Sequence, residues 1–192
     1  MASANPMVEF QHAVERASSR NIDTVPCALA TVSADGLPSL RIVLVKYFDA
    51  RGFVFHTNYN SRKGRELAAN MNAALCFHWP SLEEQIRIEG PVEQLSAEES
   101  DHYFRERPRG SQIGAWASMQ SAELAAREQL EARYRQFEQE FTDQDVPRPP
   151  FWGGYRVLPT QLEFWYGRPD RLHDRVLYTK DRNDWRITRL YP

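Results

Sequence analysis

The chain has 192 residues, 42% hydrophobic and 26% charged, which is the composition of a folded domain with a core and not of a disordered chain. Its formal net charge of −2 excludes a global positive field able to hold nucleic acid or an anionic membrane, so any basic site has to be local. Aromatic residues make up 12%, enough flat surface for a core and also for a planar ligand.

In chain order, the spacing of Val8, Phe10 and Val14 predicts a short N-terminal helix over about 7–19. That segment is polar and amphipathic and lacks the apolar stretch of a signal peptide, and no run is long enough to span a bilayer. A cytoplasmic protein is the expectation. "PCALATVS" (26–33), "PSLRIVLVKYFD" (38–49) and "FVFHTN" (53–58) read as strands joined by tight turns at "DG" and "ARG", an antiparallel meander. Cys27 and Cys76 lie in apolar runs and read as small buried hydrophobes. "NSRKGRELAAN" (60–70) opens a helix with Asn60 or Ser61 as N-cap. Strands follow at 73–79 and 84–95. A helix over 96–108 has a capping box in Ser96 and Glu99, and the longest helix is expected over 121–141. Phe151 and Trp152 argue that the Pro/Gly-rich loop 142–154 packs down and does not link two domains. "YRVLP", "QLEFWYG", "RLHDRVLYT" and "DWRITRLYP" end the chain as strands. The expected class is α+β, mainly antiparallel β, in one domain over 1–192 with a C-terminal region from about 150 to 192.

The cations gather in four places. "SRKGR" puts Arg62, Lys63 and Arg65 at a helix N-terminus, where unpaired N–H groups already favour an anion. A phosphate site or a simply solvated helix start both fit. Arg41 and Lys46 are five apart, so in a regular strand they face opposite sides and serve two anions or none. Arg105, Arg107 and Arg109 precede a run of small and amide residues that includes Ser111, Gln112 and Gln120. The last group, "RLHDR" (171–175), alternates Arg171, His173 and Arg175 and would crowd three cationic groups onto one strand face. Together the clusters suggest one or two small ligands carrying phosphate and flat rings.

Through most of its length the chain resembles the pyridoxamine 5′-phosphate oxidases. The stretches that carry this are "RIVLVK" (41–46), "NSRKGRELAAN" (60–70), "EQIRIEG" (84–90), "YFRERPRGSQIGAWASMQS" (103–121), "VPRPPFWGGYRV" (146–157) and "EFWYGRPDRLHDR" (163–175). The resemblance implies a split-barrel homodimer with FMN at the interface. FMN would be held through Arg41, Ile42, Val43, Leu44, Val45, Lys46, His56, Thr57, Arg62, Lys63, Gln85, Gln120, Ser121, Trp165 and Arg175. The substrate would meet Lys46, Tyr103, Arg107 and Ser111 at its phosphate and Arg171, Leu172 and His173 at its ring, with Arg171 and His173 in the catalytic role. The implied reaction oxidises pyridoxamine 5′-phosphate or pyridoxine 5′-phosphate to pyridoxal 5′-phosphate, with dioxygen as acceptor and hydrogen peroxide as product. No metal, nucleic acid or membrane is implied.

Four features depart from the family pattern. An Arg-rich N-terminal lead is absent, Glu84 replaces an Arg, His56 a Tyr, and Tyr166 a Gln. The rivals are a flavin oxidase of phenazine biosynthesis and a non-catalytic binder of FMN, haem or pyridoxal phosphate. The intact "SQIGAWASMQS" and "RLHDR", with Lys46, Tyr103, Arg107 and Ser111 retained, favour the B6 enzyme.

Overall fold

The computed structural model describes residues 3–192. Helix α1 (Pro6–Ser18) starts where Asn5 accepts a hydrogen bond from the Met7 N–H at 2.9 Å and Pro6 occupies the first turn. Its buried side chains, Met7, Phe10, Ala13 and Ala17, recur at three- and four-residue steps. Phe10 enters an aromatic cluster with Phe48, Phe53 and Phe77, at ring separations of 4.8, 4.9 and 5.1 Å.

The predicted meander is present as β1 (Pro26–Val32), β2 (Pro38–Asp49) and β3 (Gly52–Asn58), all antiparallel. Helix α2 (Arg62–Ala69) leads to β4 (Asn72–Trp79) and β5 (Glu84–Gln94). Three helices follow: α3 (Ala97–Glu106), α4 (Arg109–Ala117) and α5 (Arg127–Glu140). Strands β6 (Trp152–Val157), β7 (Gln161–Tyr166), β8 (Asp174–Asp181) and β9 (Asp184–Leu190) complete the chain. Because β4 pairs with both β1 and β5, the order β4-β1-β2-β3-β6-β5 closes into a six-stranded antiparallel barrel, and β7, β8 and β9 extend the same sheet outward. This is the expected α+β split barrel.

Strand β5 makes the split. Glu84–Glu89 pair with β7, whereas Val92–Gln94 pair with β6 along the same edge. The change of partner falls at Gly90, where a Cβ would sit 1.9 Å from the Leu158 carbonyl oxygen, so only glycine admits the crossing. Alternation along β1, β4 and β5 sends Leu29, Leu75, Phe77, Ile86 and Ile88 into the barrel. Strand β2 differs: Leu40, Ile42 and Leu44 point outward and are 70%, 66% and 53% exposed.

Three local expectations need correction. The long helix begins at Arg127, not at 121, because Ser121 sits at φ 70° and breaks the helical path. A helix, α4, occupies 109–117, a stretch whose polar composition reads as a loop. "RLHDR" is not a continuous strand: Pro169–Arg171 is a 3₁₀ turn with Asp170 and Arg171 at φ 57° and 61°, and β8 begins only at Asp174. Arg171, His173 and Arg175 therefore do not share a strand face by alternation.

Candidate active site

One corner of the site forms where α2 starts. Ser61 caps the helix, its Oγ accepting from the Gly64 N–H at 3.3 Å, and the first turn holds no acidic residue. Behind it lies Glu66, whose carboxylate accepts from Thr31 Oγ1 at 2.5 Å, Ser39 Oγ at 2.6 Å, Arg41 Nη2 at 3.0 Å and Arg62 Nε at 2.8 Å. Burial alone would raise this carboxyl, but the hydrogen bonds from Ser39, Thr31, Arg62 and Arg41 outweigh it and hold the group at about 2. One carboxylate thus fixes two arginines. Lys63 is left facing the open side, where its Nζ donates to Thr57 Oγ1 at 3.2 Å and Gln120 Oε1 at 3.5 Å. Burial, then the charge of Arg41, lowers the Lys63 ammonium and outweighs the opposite pull of Glu66.

Lys63, Thr57 and Gln120 form one side of a cavity of about 470 Å³. Ile42, Val43 and Leu44 of β2, Asn58, Ser118 and the small residues Gly114 and Ala115 continue the wall, and His56, Tyr103, Arg107, Ser111 and Trp152 complete it. There the rings of His56, Tyr103 and Trp152 are nearly parallel, with His56 3.8 Å from Tyr103 and 5.3 Å from Trp152. The Arg107 guanidinium lies 4.6 Å from the Trp152 ring centre, a cation–π contact. Among the described residues its Nη1 is buried without a partner, as is His56 Nε2. Burial lowers Arg107 from its usual range. Burial, then the charges of Arg107 and Lys46, lowers His56 to about 4, so its ring is neutral at neutral pH.

A second group of expected residues sits on the extended sheet. The register aligns Gln85 of β5 with Trp165 of β7 and Arg175 of β8, placing them in one cross-strand row. Arg175 Nε donates to Glu163 at 2.7 Å and its Nη1 to the Tyr191 carbonyl at 3.0 Å. The His173 ring is 4.5 Å from Trp165, and its Nδ1 accepts from the Arg168 N–H at 3.1 Å, so the neutral ring carries its proton on Nε2. Arg168 itself pairs with Asp174 at 2.7 Å. The crowding of cations near "RLHDR" is thus relieved by the protein's own carboxylates and by the turn that removes Arg171 from the strand. A cavity of about 340 Å³ lies here, lined by His173, Arg175, Tyr166 and Arg168, and it shares no lining residue with the larger one.

The expected residues therefore fall into two sets within one chain. His56, Thr57, Lys63, Tyr103, Arg107, Ser111 and Gln120 gather at the larger cavity, with Arg41 and Arg62 bound to Glu66 behind Lys63. Gln85, Trp165, His173 and Arg175 gather on the sheet extension. Of the strand 41–46, Val43 and Val45 have side chains buried in the core whereas those of Ile42 and Leu44 are exposed, and Ile42, Val43 and Leu44 line the cavity. Lys46 stands at a register shift between Val45 and Tyr47, exposed and close enough to influence His56. Ser121, Arg171 and Leu172 are exposed and line neither cavity. Glu66 and Trp152 were not foreseen as site residues; the i,i+4 spacing of Arg62 and Glu66 was the available signal for the first.

The family model described as pyridoxamine 5′-phosphate oxidase matches residues 21–141, and one described as the pyridoxine 5′-phosphate oxidase C-terminal dimerisation region matches 152–192. The chain belongs to the pyridoxamine 5′-phosphate oxidase family. It is 56% identical over 195 residues to the pyridoxine/pyridoxamine 5′-phosphate oxidase of Burkholderia multivorans, covering 100% of this chain and 91% of the relative. It is 52% identical to that of Myxococcus xanthus strain DK1622, covering 100% and 94%. Among solved structures, PhzG from Burkholderia lata 383, in complex with tetrahydrophenazine-1-carboxylic acid, superposes with a TM-score of 0.94 at 34% identity, covering 99% of this chain and 94% of that one. A pyridoxamine 5′-phosphate oxidase-related, FMN-binding protein of Nostoc punctiforme shares the fold, with a TM-score of 0.78 at 19% identity.

Family membership makes the protein an oxidoreductase with FMN as cofactor, and the donor set fits that group. Lys63, with Arg41 and Arg62 behind it, offers cations to a phosphate, and Gln85 and Trp165 offer an amide and a flat ring. Two of the departures from the family pattern prove to be one feature. Glu84 and Tyr166 are cross-strand partners, and both bind α1: Arg16 donates twice to Glu84, at 3.2 and 3.1 Å, and the Tyr166 hydroxyl donates to Glu9 at 3.3 Å.

Proposed function

We propose that the protein oxidises pyridoxamine 5′-phosphate and pyridoxine 5′-phosphate to pyridoxal 5′-phosphate with dioxygen as acceptor. The observation that carries this reading is the presence of two cations with different neighbours in the lining of one cavity: Lys63, on Thr57 and Gln120, and Arg107, which lies over Trp152 and whose buried Nη1 has no partner among the described residues. A cofactor phosphate needs only one of them. A second phosphorylated ligand accounts for the other, since a half-buried guanidinium with one nitrogen wholly buried and unpaired is costly without an anion.

FMN, when bound, would supply the redox chemistry, a two-electron oxidation at substrate C4′ with dioxygen as final acceptor and hydrogen peroxide as product. Lys46, Tyr103, Arg107 and Ser111 hold the substrate phosphate and so fix the position of C4′. Arg171 and His173 of the partner subunit address the pyridine ring, His173 donating from Nε2 to the ring oxygen. With the amine substrate, oxidation leaves an imine that water hydrolyses to the aldehyde. No side chain is assigned as an obligatory base.

A homodimer is part of this reading. In this reading a second copy supplies the residues of the sheet extension, which line a different cavity from Lys63 and Arg107. The C-terminal match to a dimerisation region supports this, as do the outward Leu40, Ile42 and Leu44 beside the cavity. The likeness to PhzG favours one alternative, a flavin oxidase acting on a reduced phenazine precursor, whose carboxylate would take the place of the phosphate.

The test is an assay of the yellow holoprotein for peroxide and pyridoxal 5′-phosphate with both phosphorylated vitamers, unphosphorylated pyridoxine, and a dihydrophenazine carboxylate. Peroxide and aldehyde in equal amounts from the phosphorylated vitamers alone are expected. Turnover of the phenazine compound with none of the vitamers would replace this reading by the alternative.

A further inference from the structure

His56 is the one residue of the larger cavity that combines a titratable ring with a buried nitrogen lacking a partner. It replaces the Tyr of the family pattern, so a phenol that stays neutral gives way to a ring that can take a proton. Its surroundings are one-sided. Lys46 of β2 acts on it through its charge, Tyr103 of α3 stacks on it, Arg107 just past the end of α3 lines the same cavity, and the Trp152 ring of β6 lies parallel to the stack. His56 and Tyr103 also line a smaller cavity of about 220 Å³ that carries Glu99, His102, Glu106 and Arg156. Those charges are satisfied among themselves: Glu99 with Arg156 at 3.2 Å and Arg51 at 3.1 Å, and Glu106 with Tyr47 at 3.0 Å and His102 at 3.3 Å. None of them reaches His56 Nε2. Arg107 Nη1 is unpartnered in the same wall, and a nitrogen on a guanidinium can only donate. That nitrogen awaits an acceptor, and Nε2 of His56 becomes a donor of the same kind once the ring is protonated.

We propose that His56 is an anion-binding residue of this cavity: its Nε2 and Arg107 Nη1 both donate to the phosphate of the substrate, and the imidazole takes a proton from solvent as the dianion binds. The inference rests on the reading of the cavity as a phosphate-ester site. Its physical basis is the reversal of the local field. Without a ligand, His56 faces two cations in a desolvated stack, and both conditions disfavour the charged ring. A phosphate dianion between Lys46 and Arg107 cancels the first condition and provides a hydrogen-bond acceptor, so the protonated ring becomes the favoured form. The sign of the linkage follows. The His56 pKa rises on binding, so protons are taken up, and affinity strengthens as pH falls through the bound-state pKa, down to the free-state value of about 4.

The probe is 4-deoxypyridoxine 5′-phosphate, which lacks the oxidisable substituent and leaves the holoprotein unreacted. Its binding is followed by titration calorimetry in two buffers of different ionisation enthalpy, from about pH 8 to about pH 5.5, in wild type, His56→Gln and His56→Phe. Gln keeps a donor that cannot take a proton, and Phe keeps the stack. Comparison between proteins cancels the titration of the ligand's own phosphate. The expected result is an affinity advantage of wild type over His56→Gln that grows about tenfold across that range, with matching extra proton uptake. A ratio that stays flat with pH, with equal proton uptake, would overturn the proposal while leaving the phosphate-site reading intact. Failure of wild type to bind the probe at any pH would overturn both. If a variant does not fold, proton uptake by wild type in excess of that calculated from the probe's own phosphate pKa decides the matter.

Discussion

Arg107 and Arg175 carry the same guanidinium under opposite conditions. Arg107 is desolvated at the end of α3, stacked on Trp152, with Nη1 facing nothing that accepts a hydrogen bond. Arg175 sits on the sheet extension with Nε on Glu163 and Nη1 on the Tyr191 carbonyl. In the first region the fold bears the cost of burying charge before any ligand arrives, which makes that region selective for an anion. In the second, charge is neutralised in place, so the groups there are suited to orient a ring more than to attract a phosphate. An unpaired buried charge marks where binding energy waits to be released; a paired one marks where geometry is kept.

The sharpest way to break this comparison is to remove each cation in turn. Arg107→Met should leave thermal stability of the ligand-free protein unchanged or raised, because no partner loses its hydrogen bond. The same change should weaken binding of a phosphorylated vitamer by about 2–5 kcal/mol, which is ~30-fold to several thousand-fold. Arg175→Met should do the reverse in the free protein, since Glu163 is 5% exposed and would keep a buried carboxylate without its closest donor; a loss of about 2–3 kcal/mol is expected. Thermal denaturation and calorimetry read both quantities. Equal destabilisation by the two changes would show that Arg107 is compensated in the free protein after all.

A smaller effect sharpens the division within "RLHDR". Arg171 stands at φ 61°, exposed, outside both cavities, and has no role in holding the chain together. Arg171→Ala should therefore leave FMN retention and stability near wild type while lowering kcat/KM for the vitamers by about 10²-fold, the usual loss for one positioned donor. Flavin fluorescence and steady-state kinetics on the same preparation separate the two. Loss of flavin in proportion to loss of turnover would assign Arg171 to the cofactor.

The sequence made the barrel strands legible because they carry dense local signals. The second strand was placed at 38–49 from its β-branched run between "DG" and "ARG", and it spans Pro38–Asp49, with Gly36 at φ 80° in the first turn. What could not be read is what depends on distant partners. Helix α4 has no side-chain cap and contains Gly110 and Gly114, so its propensity is poor; it is held from outside, by Gln112 donating to the Phe104 carbonyl at 2.8 Å and by burial of Ile113. The two-residue alternation in "RLHDR" imitated a strand although Pro169 and two left-handed residues make it a turn. The site divides likewise. Cationic motifs were visible as motifs, but the sharing of Glu66 by Arg41 and Arg62 needs α2 laid against β1 and β2, and the stacking of Trp152 on Arg107 needs β6 brought beneath α3.

The smallest expected effect lies at α1, where Arg16 meets Glu84. Arg16 is partly exposed, at 42%, and its partner little, at 11%, so the pair is neither a free surface bridge nor a buried one. Arg16→Gln keeps most of the stem and one donor, which limits the cost to about 1 kcal/mol, or roughly 2–4 °C in Tm. Added salt should shrink the difference, because screening weakens the charged pair in wild type and leaves the neutral variant unaffected. Glu84 neighbours Gln85 in the row that continues to Trp165 and Arg175, so the same variant also asks whether α1 sets the position of that row. Tyr166, the cross-strand partner of Glu84, is independently bound to Glu9, and this second tether should hold the row in place. Turnover within about twofold of wild type is therefore expected. A larger fall in kcat, with Tm as predicted, would make α1 a working part of the sheet half of the site and erase the distinction between a region that orients and one that attracts.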